Sequence, residues 1–217
     1  MNAKAADREG FAAFILRARA RGISSDALFK ALETVPRHMF VSDDYADLIW
    51  SGQSLPIACG EVIEGVDFQA KILSSLDIVA GHRVLEIGTG SGFSAAVMAR
   101  LGAKVKTVDR YKSLTEAAQE RFVSLGLGNA VATQMDGSRN MTGEGPFDRI
   151  VAWAAFENLP RKFVDLLATG GIMIAPIGPG DGRQKLAKLT KIGSRFEREN
   201  IGEARAQPLI KGVAEAL

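Results

Sequence analysis

The chain has 217 residues, 47% hydrophobic and 24% charged, which suits one soluble globular domain long enough to bury a core. A formal net charge of +2 without a local basic cluster argues against a nucleic-acid partner or a membrane surface. Cys59 is the single cysteine, so no internal disulfide can form and a reducing, cytoplasmic compartment is expected; no signal peptide and no bilayer-spanning apolar run is read.

Residues 5–21 read as an amphipathic helix with Phe11, Phe14, Ile15 and Ala18 on one face, ended by Gly22. Ser24, Ser25 and Asp26 can cap a second helix that runs to about Val35 and stops before Pro36. Residues 41–65 read as irregular, yet Tyr45, Leu48, Ile49 and Trp50 give the segment enough apolar content to pack down. From residue 66 helices and strands alternate: helix 66–76, strand 83–87, helix 91–101, strand 104–109, helix 112–125, strand 130–135, strand 148–153, helix 160–167 and strand 171–176. A hairpin is expected around Gly193-Ser194, within 184–201. Alternation of this kind implies βαβ units and a doubly wound, mainly parallel sheet of Rossmann-like α/β type. Residues 1–65 then form a helical and loop extension covering the site, and 66–217 form the core.

The central motif is Val84-Leu85-Glu86-Ile87-Gly88-Thr89-Gly90-Ser91-Gly92, which follows a strand and opens a helix. Glycines there let a ligand approach the main chain. A dinucleotide fingerprint would place its third glycine at Phe93, one residue later than Gly92. Glu86 at the strand end would repel a pyrophosphate but favours the ammonium and sulfonium of S-adenosylmethionine. Asp109-Arg110 ends the second strand, where the carboxylate can accept from both ribose hydroxyls, and Asp136-Gly137 follows the third, within reach of an adenine. Glu86, Gly88, Thr89, Gly90, Ser91, Gly92, Asp109, Arg110, Asp136 and Gly137 are therefore the candidate cofactor residues, with S-adenosylhomocysteine as product. No metal-ligand spacing is present. Cys59 has no evident base beside it, and core packing is the simpler reading of Trp153 and Phe156.

These residues resemble the protein-L-isoaspartate O-methyltransferase family, a class I methyltransferase group. Val35-Pro36-Arg37-His38-Met39-Phe40-Val41 is similar to its N-terminal signature, followed by Tyr45-Ala46-Asp47 and Pro56-Ile57. The glycine turn, Pro146-Phe147-Asp148-Arg149-Ile150, Gly170-Gly171 and Gln207-Pro208-Leu209 match in order. The resemblance implies methyl transfer to the free carboxylate of L-isoaspartyl residues in damaged proteins, with a peptide or protein as partner. A carboxylate is already a nucleophile, so positioning supplies most of the catalysis.

One segment departs from the family pattern. Where the family reads Gly-Gln-Thr-Ile-Ser, this chain reads Gly60-Glu61-Val62-Ile63-Glu64, with Glu64 in place of the serine at the substrate. Ile63 and Glu64 are the candidate substrate residues, and Glu64 the candidate catalytic one. An ionised Glu64 would oppose a carboxylate substrate. Three readings stay open: a base for an amine or hydroxyl acceptor, a protonated carboxyl with raised pKa, or a side chain in solvent. The replacement leans toward altered specificity. The alternatives to isoaspartyl transfer are thus a methyltransferase of another small acceptor and a non-catalytic cofactor-binding protein.

Overall fold

The computed structural model describes residues 3–139 and 143–214. Helix α1 (Ala3–Ala20) and helix α2 (Asp26–Thr34) open the chain. Ser25 caps α2, its Oγ accepting from Leu28 N at 3.2 Å. Trp50 anchors the following segment against α1, with ring centroids 4.8 Å from Phe11 and 5.9 Å from Phe14. Arg17 of α1 donates to Trp50 O and to Asp67 at the start of helix α3 (Val66–Leu76). Residues 41–65 are packed down as their apolar content implied, with Ile49, Trp50, Leu55 and Ile63 buried. They contain short 3-10 turns and a two-residue antiparallel pair, β1 (Leu55–Pro56) with β2 (Val62–Ile63).

A seven-stranded sheet forms the centre. It contains β3 (Arg83–Ile87), β4 (Lys104–Asp109), β5 (Ala130–Gln134), β6 (Phe147–Ala152), β7 (Leu167–Ile177), β8 (Gln184–Ile192) and β9 (Arg195–Ala204). Their order is β5-β4-β3-β6-β7-β8-β9, parallel from β5 to β7 and antiparallel for the last two. Helix α4 (Phe93–Arg100) joins β3 to β4, and α5 (Lys112–Ser124) joins β4 to β5. The order reverses between β3 and β6, and in an open parallel sheet a crevice forms beyond the strand ends at such a reversal. The expected mainly parallel α/β sheet is what the chain forms, and its terminal hairpin extends to residue 204.

The expected helix at 160–167 is not formed. A 3-10 turn at Arg161–Phe163 takes its place, and the strand begins at Leu167 rather than 171. Sheet pairing competes for the same residues: Leu167 aligns with Phe147, and Phe147 N donates to Leu166 O at 2.7 Å. Phe163, Leu166 and Leu167 are buried in one core cluster with Phe147. On the other face, Phe14, Leu28 and Leu32 of the first two helices share one core with Val84 and Phe93.

Candidate active site

The glycine turn after β3 is bent by positive φ at Gly88 (94°), Gly90 (51°) and Gly92 (88°), a region costly for residues with a Cβ. Gly88 N and Thr89 N both donate to Val108 O, at 2.8 and 3.2 Å, fixing the turn to β4. Beneath it lies Glu86, which is completely buried. Its Oε1 accepts from Ser94 Oγ at 2.5 Å and Trp153 Nε1 at 2.8 Å, and its Oε2 from Thr107 Oγ1 at 2.7 Å. Thr107 has one hydroxyl proton, so with Glu86 ionised Thr89 is the donor in the 2.8 Å Thr89–Thr107 contact. Burial pushes the Glu86 carboxyl up to about 7 despite these three donors.

Asp109 stands at the end of β4, its Oδ2 accepting from Gly90 N at 3.0 Å and its Oδ1 from Tyr111 N at 3.2 Å. Burial raises its carboxyl above the ordinary value, and the backbone donors oppose that. Arg110 follows, with a buried Nε that has no hydrogen-bond partner among the described residues. Gly137 packs so closely on β3 that an added Cβ would meet Ile87 Cγ2 at 2.5 Å.

The opposite wall comes from the β1–β2 segment and the C-terminal stretch. Arg37 is buried without a carboxylate partner among the described residues; it donates to Ile49 O at 2.7 Å, Gln69 Oε1 at 2.6 Å and Glu64 O at 2.8 Å. Its guanidinium lies 4.3 Å from the centre of the Phe93 ring, and burial pushes it down to about 9. Arg37 thereby fixes the Glu64 backbone against the start of α4. The half-buried Glu64 side chain touches Ser54, whose Oγ lies 2.9 Å from Oε2; burial raises its carboxyl and that hydrogen bond lowers it. With its amide oriented to donate, Gln207 reaches Glu61 Oε2 at 2.5 Å and Oε1 at 3.1 Å. Burial and then Asp109 raise the Glu61 carboxyl, while Arg110 lowers it.

These walls line an open cleft at the β3/β6 reversal. Of the expected site residues, Gly88, Thr89, Gly90, Ser91, Asp109, Arg110, Gly137, Ile63 and Glu64 line it. Glu64 borders the cleft, half-buried, with its carboxyl on Ser54. Glu86, Gly92 and Asp136 stand behind the lining. Gly92 packs on α5, where an added Cβ would meet Ala118 Cβ at 2.8 Å. Asp136 accepts from Ser138 N and Gly212 N, both at 2.8 Å, and pairs with Arg139 at 3.7 Å. Burial would raise its carboxyl, but those partners hold it below the ordinary range. Trp153, for which core packing was the simpler expectation, also lines the cleft, as do Glu61 and the Gln207–Ile210 stretch, which were not among the candidate site residues. The C-terminal motif was visible as a signature, but nothing local tied it to a site more than 100 residues earlier.

A parallel sheet reversing beside a glycine turn and an acid-ended second strand defines the class I methyltransferase architecture. A sequence model described as protein-L-isoaspartate(D-aspartate) O-methyltransferase matches residues 11–214. The chain belongs to that family. It is 44% identical to the protein-L-isoaspartate O-methyltransferase of Azorhizobium caulinodans, covering 98% of both chains. It is 42% identical to the Rhizobium meliloti protein of the same name, covering 93% of this chain and 99% of that one. The fold is also that of a Plasmodium falciparum structure described as a putative protein-L-isoaspartate O-methyltransferase in complex with S-adenosyl-L-homocysteine. The TM-score is 0.79 at 22% identity, over 92% of this chain and 98% of that chain.

Proposed function

We propose that the cleft binds S-adenosylmethionine and that the protein methylates the free carboxylate of L-isoaspartyl residues in peptides and proteins. The observation that carries this reading is one continuous cleft, walled on one side by the glycine turn with Asp109 and on the other by Ile63 and Glu64. Relatives at 42–44% identity over nearly the whole chain bear the isoaspartyl name, so neither another acceptor nor a non-catalytic role is favoured.

The residues fit the cofactor. Gly88 and Gly90 leave room for close approach, Asp109 offers carboxylate oxygens, and the orphaned Nε of Arg110 lacks an acceptor that a ligand would supply. When bound, S-adenosylmethionine supplies an electrophilic methyl on a sulfonium. Asp109 holds ribose hydroxyls; Gly137 and Arg110 border the adenine end. Glu86 acts from behind, by fixing Trp153 in the cleft wall and Thr107 under the turn.

The acceptor carboxylate needs no base, so the chain's task is orientation and exclusion of water. Glu64 serves that task in its neutral form: its O–H donates a hydrogen bond to the acceptor carboxylate and keeps the proton, as a hydroxyl would do. Its half-buried position and raised pKa support this reading. Residues 1–65 cover the site, Arg37 holding the Glu64 backbone while 66–217 carry the cofactor. A protein substrate of this kind is consistent with a cytoplasmic setting; no described helix is long and apolar enough to cross a membrane.

A labelled-methyl assay on an isoaspartyl peptide beside its aspartyl twin tests the function. Only the isoaspartyl peptide should take label; equal labelling of both, or none, overturns it. With that peptide, kcat/KM should fall as pH rises through the Glu64 pKa, because the ionised form repels the acceptor. Glu64→Gln and Glu64→Ser should flatten that limb, and an unchanged profile would remove Glu64 from the acceptor site.

A further inference from the structure

A second, more open cavity adjoins the first through Glu64, which lines both. Ser54, Phe68, Arg183, Glu203 and Arg205 also line it, so three separate parts of the chain build it: the ends of the β1–β2 segment, helix α3 and the β8–β9 end of the sheet. Resting on the isoaspartyl reading above, we infer that this cavity is the subsite for the residues flanking the isoaspartyl group, and that it selects peptides with an acidic side chain there.

An acceptor inside a protein cannot enter the first cleft alone. Its chain must leave the reacting residue in both directions, at about 3.3 Å per extended residue. Glu64 marks the point where the reacting carboxylate can face the first cleft while the neighbouring chain lies in the second. Phe68, half-buried and 6.5 Å from the Trp153 ring, gives the second cavity an apolar surface for a side-chain stem.

The charge is uneven. Glu203 already carries two cations, Arg183 Nη1 at 3.1 Å and Lys185 Nζ at 2.7 Å, and their hydrogen bonds hold its carboxyl below the ordinary range. Glu64 accepts a hydrogen bond from Ser54 Oγ at 2.9 Å. Arg205 is exposed and has no ion-pair partner among the described residues. Counting Lys185, which reaches Glu203 from beside the lining, three cations meet the two carboxyl groups of Glu64 and Glu203, and the Arg205 guanidinium is left to suit a carboxylate.

The test is a set of isoaspartyl peptides identical except for Asp, Ala or Lys within two residues of the isoaspartyl group. The wild-type protein should show kcat/KM in the order Asp, Ala, Lys, with about two- to five-fold per step, as exposed ion pairs allow, and the spread should shrink at high salt. Arg205→Glu, at an exposed position where folding is not at stake, should reverse the order. Equal kcat/KM across the set, or a Lys preference, overturns the subsite while methyl transfer stands. Failure to methylate any isoaspartyl peptide overturns the function and the subsite together.

Discussion

On the floor of the cleft, Glu86 is fully buried and takes hydrogen bonds from Ser94, Thr107 and Trp153. In the cover, Glu64 and Glu61 are half-buried, and their carboxylates rest on single side chains, Ser54 and the exposed Gln207. Both regions present acids near the same ligand. The floor fixes its acid with several short elements that already pair in the sheet, so its geometry is set before anything binds. The cover depends on a few long-range contacts that can break one at a time. A methyltransferase needs both: a rigid cradle for the cofactor and a wall that admits a protein segment.

The contrast is broken most severely at the floor. Gly92 has φ near 88° and no room for a Cβ beside Ala118. Gly92→Ala should cost about 2–5 kcal/mol of stability, combining left-handed strain with overpacking, as read by denaturant unfolding. A loss below 0.5 kcal/mol would mean that the turn is pliable.

Glu86 gives the next effect, and its sign is specific. Its folded pKa is raised from 4.5 to about 7, so the folded state binds the extra proton. The stabilisation is fully present below about pH 4.5 and is lost as pH rises to about 7, on the order of 3 kcal/mol. Unfolding midpoints across that range should show the slope in the wild-type protein and a much flatter line in Glu86→Gln. Parallel lines would place the titration elsewhere.

Asp109→Ala should weaken S-adenosylmethionine and S-adenosylhomocysteine binding by about 1–3 kcal/mol in calorimetry, through loss of charge-assisted hydrogen bonds. Unchanged affinity would remove Asp109 from the ribose site. The smallest effect belongs to the cover: Gln207→Ala should cost less than about 1 kcal/mol in folding stability, yet speed proteolysis of residues 55–65 when no cofactor is present. Cleavage at the same rate as in the wild-type protein would show that the Glu61–Gln207 contact does not hold the cover down.

Most of the floor was legible in the sequence because it is local. The strand Arg83–Ile87, the glycines and Asp109 lie within 27 residues and follow the period and turn rules of a βαβ unit. The direction of Glu86 was not legible: the motif places it at a strand end, but only the fold shows it pointing at Ser94 and Trp153 instead of the cleft. Asp136 misled in the same way, since Gly212, which takes up one of its oxygens, is 76 residues away in sequence. The helix expected at 160–167 failed because local propensity ignores Leu167's pairing with Phe147. The packing of the cover was legible from its apolar content, but its place at the site came through its resemblance to a known signature, since contacts such as Arg37 to Glu64 leave no periodic trace.

The chain contains two tryptophans, and the fold gives them separate surroundings. Trp50 is buried among Phe11 and Phe14 and donates to Asp7. Trp153 lines the cleft, with its indole N–H on a carboxyl whose charge changes near neutral pH. The molecule thus carries an optical reporter in its own binding wall and a reference fluorophore away from it. Emission from Trp153 should respond to ligand occupancy and to the protonation of Glu86, while Trp50 holds steady, so a Trp50→Phe protein would report both events without any added label.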